Sequence, residues 1–292
     1  MLTRIDHAMI CVPDLAAATD AYARMGFNVH FGGAHTGRAT HNAIAFHDED
    51  YLELLSLRPD RPATLAPGSA DAQAADFLAR GGGFRFIVVQ SDDLPADVAA
   101  MRARGVEVSD AVEGSRRSPD GRELRWRAAQ LGPRNPLPLL FLQHLTPLAE
   151  RRAQAVKLGA HPNGVARIER AYVAVRDVGA EAGTYARVLG MPVPKVQRGS
   201  VIKADMTVFE IGPTGLGVAQ PAEPGPAAEA LARRGPGPFQ VLHRTRSLEA
   251  ATRGLAARGV PSIRGTRNTG EQAVLVSPEH ACGVYIGFVG PA

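Results

Sequence analysis

Apolar and polar positions along this chain alternate in short runs and then switch to a helical period, four times over. In TRIDHAMICVP (residues 3–13) and again in YLELLSL (residues 51–57) the two kinds of side chain take turns, the period of two expected of a strand. Between them Leu15, Ala18, Tyr22 and Met25 recur at the three-and-four spacing of an amphipathic helix. Apolar strands end at Asp14-Leu15, Asp93-Leu94, Asp177-Val178 and Ser247-Leu248. Each pair opens an alanine-rich stretch that stops twelve or thirteen residues on, at Gly26, Gly105, Gly190 and Gly259. Asp and Ser satisfy the free N–H groups of a first turn, and glycine adopts the left-handed conformation that ends a last one. The pattern therefore predicts four helices of about three turns, each followed by about three short strands separated by turn residues.

One such unit would leave a bare sheet edge and an uncovered apolar face, so the units are expected to pair. The predicted fold class is α+β: four βαβββ modules forming two domains, with helices outside and curved mixed sheets inside. The expected boundaries are 1–150, a linker at 151–165 that carries charge, Pro and Gly without strand alternation, and 166–292. Segments 58–82 and 221–237 are read as packed connectors, each ending in a short helix-like stretch.

A length of 292 residues, 45% hydrophobic and 21% charged, is globular and long enough for two cores. No apolar run has the length of a signal peptide or membrane span, so a cytoplasmic location without membrane association is expected. Cys11 and Cys282 lie near opposite ends, fit no close-spaced metal or disulfide pattern, and read as reduced thiols. The net charge of +4 comes from scattered arginines with few aromatics between them. That argues against nucleic acid and for a small anionic or phenolic ligand. A homodimer stays open.

Two polar residues interrupt strand faces and carry the candidate chemistry. Alternation puts Ile5, His7 and Met9 on one face of the first strand, and Tyr51, Glu53 and Leu55 on one face of the later one. Alone, each polar residue is a structural strand residue. Together inside a concave sheet, an imidazole and a carboxylate make metal ligands or an acid/base pair.

A tandem strand-helix-three-strand unit with His on its first strand and Glu on its last resembles the vicinal oxygen chelate superfamily. That superfamily includes glyoxalases, extradiol dioxygenases, an epimerase and the bleomycin and fosfomycin resistance proteins. The stretch from Ile5 to Leu57, with SPDGRELRWR, PLPLLFLQHL and HPNG, is similar to its glyoxalase-like domain subgroup. The resemblance covers about residues 3 to 170 closely, and 166 to 290 as architecture. It implies a glyoxalase-like enzyme of lyase, isomerase or dioxygenase type, acting on a small keto acid, hydroxy acid or phenol. The alternative is a non-catalytic binding or resistance protein on the same scaffold.

Carried over residue by residue, the resemblance gives metal ligands His7, Glu53 and Gln143, with Phe86 where a fourth would stand. His144 is expected on the opposite face unless the strand bulges. The implied cofactor is one divalent metal, Mg, Mn, Fe or Zn, or none, with Glu53 able to act as catalytic base. Expected ligand contacts are His35, Asn42, Tyr51, Phe86, Arg125 and Trp126. The matching positions of the second half are Arg170, Val218, Gln240 and Gly287, so that half is expected to hold no metal and to be degenerate. His161 is read as a turn residue.

Overall fold

A computed structural model describes residues 1–60 and 65–291; four residues of the 58–82 connector, 61–64, lie outside the described residues. The first half runs β1 (Leu2–Cys11), α1 (Leu15–Arg24), β2 (His30–His35), β3 (Thr40–Phe46), β4 (Tyr51–Leu57), α2 (Ala70–Ala79), β5 (Gly83–Ser91), α3 (Leu94–Ala103), β6 (Val112–Arg117), β7 (Glu123–Gln130) and β8 (Leu139–His144). Two short helices, α4 (Leu148–Arg151) and α5 (Ala153–Leu158), follow in the segment expected to be a linker. The second half runs β9 (Val165–Ala174), α6 (Val178–Leu189), β10 (Gln197–Gly199), β11 (Ala204–Ile211), β12 (Thr214–Pro221), α7 (Pro226–Arg234), β13 (Gly237–Thr245), α8 (Leu248–Ala257), β14 (Ile263–Thr266), β15 (Gln272–Val276) and β16 (Tyr285–Val289).

The four repeated helices begin where their caps require. The side chains of Asp14, Asp93, Asp177 and Ser247 accept from the backbone N–H of Ala17, Ala96, Ala180 and Ala250, three residues on. Each such cap contributes about 1 kcal/mol. All four stop glycines have positive φ, between 68° and 85°, a conformation that costs other residues strain. Connectors α2 and α7 stand where the helix-like stretches were expected.

Strand order around the first sheet is β1-β4-β3-β2-β6-β7-β8-β5, and it closes into a barrel. The two modules meet twice: β1 pairs antiparallel with β5, and β2 with β6 through Ala34 opposite Arg117 and His35 opposite Arg116. The second sheet, β10-β11-β12-β9-β13-β16-β15-β14, has the same order of equivalents but stays open, because β10 and β14 do not pair. Those edge strands have three and four residues.

The larger hydrophobic cluster joins the outer faces of both sheets with α1, α3, α6 and α8, so one core runs through both halves. Hydrogen bonds cross the same seam: Ile5 N–H donates to Thr214 Oγ1 at 2.7 Å, and Ile168 N–H to Asp50 Oδ1 at 2.9 Å. His161 also lies there. Its Nδ1 accepts from Asn28 N–H at 2.9 Å, tying the HPNG turn to the start of β2. Among the described residues no helix is long and apolar enough to cross a membrane, and Cys11 and Cys282 are free thiols.

Candidate functional site

The interior of the first barrel is a cavity of about 530 Å³, within the range of small-molecule sites. Its polar centre is built on β1 and β4. These strands run parallel with Met9 beside Glu53, so Glu53 lies one pleat from His7 on the same interior face. His7 is 3% exposed and Glu53 4%, and His7 Nε2 stands 3.3 Å from Glu53 Oε2.

Both groups are held from behind. His7 Nδ1–H donates to Asp6 Oδ2 at 2.7 Å, and the other oxygen of Asp6 accepts from His144 Nε2–H at 2.7 Å. Asn42 Nδ2–H donates to Glu53 Oε1 at 2.6 Å. Close passage of the chain at β2 makes room for this amide, since a Cβ at Gly32 would stand 2.2 Å from Asn42 Oδ1. His35 donates or accepts at Thr40 Oγ1, 2.9 Å from its Nδ1, and turns Nε2 to within 3.6 Å of Glu53 Oε1.

These contacts set the charges. Burial opposes a charged His7, but its hydrogen bonds to Asp6 and Glu53 prevail and raise its pKa to about 9. Burial likewise opposes an ionised Glu53, yet the His7 bond and charge lower it to about 2. Asp6 is driven below the usual carboxylate range, against its own burial, by His144 and His7. His35 moves the other way, burial lowering its pKa and keeping it neutral. The centre is thus an imidazolium between two carboxylates, with a neutral imidazole beside it.

Aromatic side chains form the walls. Tyr51 stacks on His7 with ring centroids 4.3 Å apart and on Phe46 at 5.4 Å. Trp126 meets His35 edge-on at 6.0 Å. Phe86 faces the same cavity with the Arg85 guanidinium 4.9 Å over its ring. Of the residues expected from sequence, His7, Glu53, His35, Asn42, Tyr51, Phe86, Arg125 and Trp126 all line the cavity. The Arg125 charge, however, is already paired with Glu113 at 2.5 Å.

Gln143 is a correction. Its Nε2–H donates to Asp92 O at 2.8 Å and its Oε1 accepts from Leu94 N–H at 3.2 Å, so it holds the start of α3 on the outside of the barrel. The interior residue is its neighbour His144, which pairs with Trp126 across β7 and β8. The expected match had slipped by one position, and one position in a strand exchanges faces. Ile5 is corrected likewise. The register shift between Ile5 and His7 sends Ile5 to the core and leaves the adjacent Asp6 and His7 side chains bonded to each other. Asp6, Arg116 and Arg151 are site residues that alternation did not indicate.

With Gln143 outside, the donor set does not fit the implied divalent metal. Phe86 offers no donor and His144 Nε2 is engaged by Asp6, which leaves His7 and Glu53 as the only donors of the implied set. Among the described residues no three His, Cys, Asp or Glu side chains converge as ligands would.

The second half lacks this centre. Val218 is fully buried, Gln240 is 2% exposed, and Arg170 pairs with Glu210 at 2.9 Å. The space inside its sheet shrinks to about 50 Å³.

The glyoxalase-like domain family matches residues 5–189. No curated protein matches the chain by sequence. Among solved structures, a hypothetical protein from Staphylococcus aureus superposes with a TM-score of 0.68 at 13% identity, covering 98% of this chain and 99% of that one. A triple mutant of 4-hydroxymandelate synthase from Streptomyces coelicolor gives 0.69 at 15% identity, covering 99% and 92%. These likenesses concern the fold: paired βαβββ modules of vicinal oxygen chelate type, repeated in two halves. With more than half its length matched, the chain belongs to the glyoxalase-like domain family.

Proposed function

We propose that the first barrel is an enzyme active site that moves a proton at a carbon next to a carbonyl group in a small oxygenated substrate. One observation carries this reading: a buried imidazolium and carboxylate, His7 and Glu53, face a ligand-sized cavity 3.3 Å from each other. At that distance their mutual bond is long, and a substrate oxygen can compete for the His7 proton. Glu53 takes the proton from the carbon while His7 Nε2 gives its own to the carbonyl oxygen, producing a neutral enol. The ion pair becomes a neutral pair in that step, and it is restored when Glu53 returns a proton to the carbon and the enol O–H returns one to His7 Nε2. Asp6 holds the imidazole orientation, and Asn42 fixes the Glu53 oxygen that does not react. No step passes through a metal.

Protein-dependent exchange of C3 protons for deuterium, followed by NMR with 2-oxobutyrate and phenylpyruvate, tests this. Glu53→Gln and His7→Gln are expected to slow exchange about 10²- to 10⁴-fold, and exhaustive chelation is expected to leave it unchanged. Wild-type exchange should be level between the Glu53 pKa of about 2 and the His7 pKa of about 9 and fall tenfold per pH unit above the latter. A bound ligand that exchanges no faster with wild type than with Glu53→Gln would instead make the barrel a carrier.

A further inference from the structure

Among the described residues three cavity-lining guanidiniums have no carboxylate partner, and one of them, Arg85, lies over the Phe77 and Phe86 rings instead. Arg116 on β6 is 9% exposed and donates to Gly32 O through Nη1. Arg151, at the end of α4, reaches the cavity from the segment between the halves, and its Nε and Nη1 are buried without any hydrogen-bond partner. Among the described residues no carboxylate stands within ion-pair distance of Arg116 or Arg151, whereas the cavity arginines Arg38 and Arg125 have Asp71 and Glu113. Asp6 is the carboxylate that acts most on Arg151, and it already accepts from both His7 and His144. Burial lowers the pKa of both arginines, the expected mark of charge without compensation. A buried charge of this kind is strongly unfavourable unless a partner arrives.

We infer that Arg116 and Arg151, which line the cavity together with Tyr51, bind the carboxylate of a substrate whose remainder is flat and apolar. The inference rests on the proton-transfer reading and names its substrate class, a monocarboxylic acid with the reacting carbon close to the carboxylate. Both guanidiniums act on the Tyr51 phenol, and the Tyr51 ring lies 4.3 Å from that of His7. A carboxylate held at this end places the next carbons beside His7 and Glu53. The body of the acid then has Phe86, Val88, Leu124 and Trp126 to pack against among the side chains that line the cavity. A planar guanidinium fork matches a carboxylate in two parallel hydrogen bonds, a geometry that lysine would not supply.

Calorimetric titration of the full chain with phenylacetate and its neutral isostere phenylacetamide tests the clamp. Wild type is expected to bind the acid at least about tenfold more tightly than the amide, as for a charged hydrogen bond gained. Arg151→Gln and Arg116→Gln should each bring that ratio close to one, whereas Arg125→Gln, whose charge Glu113 already meets, should leave it. Because the Arg151 Nε and Nη1 make no bonds to be lost, Arg151→Gln should keep or raise Tm, which separates lost recognition from lost folding. Equal affinity of wild type for acid and amide, binding of neither, or a ratio that falls only in Arg125→Gln would overturn the inference. This readout needs no turnover. An intact ratio without proton exchange would leave the clamp standing and remove the enzyme reading, while exchange with no acid preference would do the reverse.

Discussion

The two halves share one strand order and one helix-cap pattern, yet one is a closed barrel around about 530 Å³ and the other an open sheet around about 50 Å³. Interior side chains account for the difference. In the first half, His7, Glu53, His35, Asn42 and His144 bond to one another and to Asp6, and the rings stand back against the walls. In the second, Tyr172, Met206, Phe239, Leu242 and Tyr285 point inward and pack into a core of their own. Apolar side chains attract without direction and fill space, whereas a polar network must keep the geometry of its bonds and leaves the rest open. Closure through β2 and β6 completes the wall of the polar barrel, whereas the packed half keeps only about 50 Å³ inside its open sheet.

The comparison can be broken most directly by giving the first barrel the interior of the second. His7→Leu with Glu53→Leu should abolish proton exchange, about 10²-fold or more, while unfolding stability is unchanged or rises by up to about 4 kcal/mol. His7→Ala alone should lose about 3–5 kcal/mol, since Glu53 would remain buried without its partner. Denaturant titration of the three proteins checks the sign, and a stabilised single variant would show that the pair is not a coupled buried unit.

The reverse change hollows the second half. Phe239→Ala, at a side chain 3% exposed, should cost about 3–5 kcal/mol and leave the exchange rate of the folded protein unchanged. A fall in rate at full occupancy of the folded state would mean that the second half takes part in the chemistry. The smallest effect is expected of Gln143→Ala, which removes two hydrogen bonds at the start of α3 for about 1–3 kcal/mol without altering exchange. His144→Ala, one residue on, should slow exchange by loosening Asp6 behind His7. Equal rates in these two variants would contradict the assignment of faces along β8.

Repetition was legible in the chain because caps and stops act locally. Asp14, Asp93, Asp177 and Ser247 bond to residues three positions on, and each glycine ends its own helix, so no distant contact is needed to place them. His7 and Glu53 were legible for a related reason, since alternation is also local and a polar residue on an apolar face stands out. Gln143 was misplaced because spacing cannot reveal a slip of one position in a strand, and such a slip exchanges inside for outside. Asp6 was hidden by an irregularity in the pairing of β1 with β5, which depends on two strands separated by more than seventy residues. Arg151 sits in a segment that reads as a linker, and only tertiary packing brings its guanidinium into the lining of the first barrel's cavity. The sequence by itself determined the four modules, their helix boundaries and the His7 and Glu53 pair, all properties of short-range geometry. Barrel closure, the faces of Asp6 and His144, and the burial of two uncompensated arginines were decided by tertiary structure, because each depends on which distant groups share the same interior.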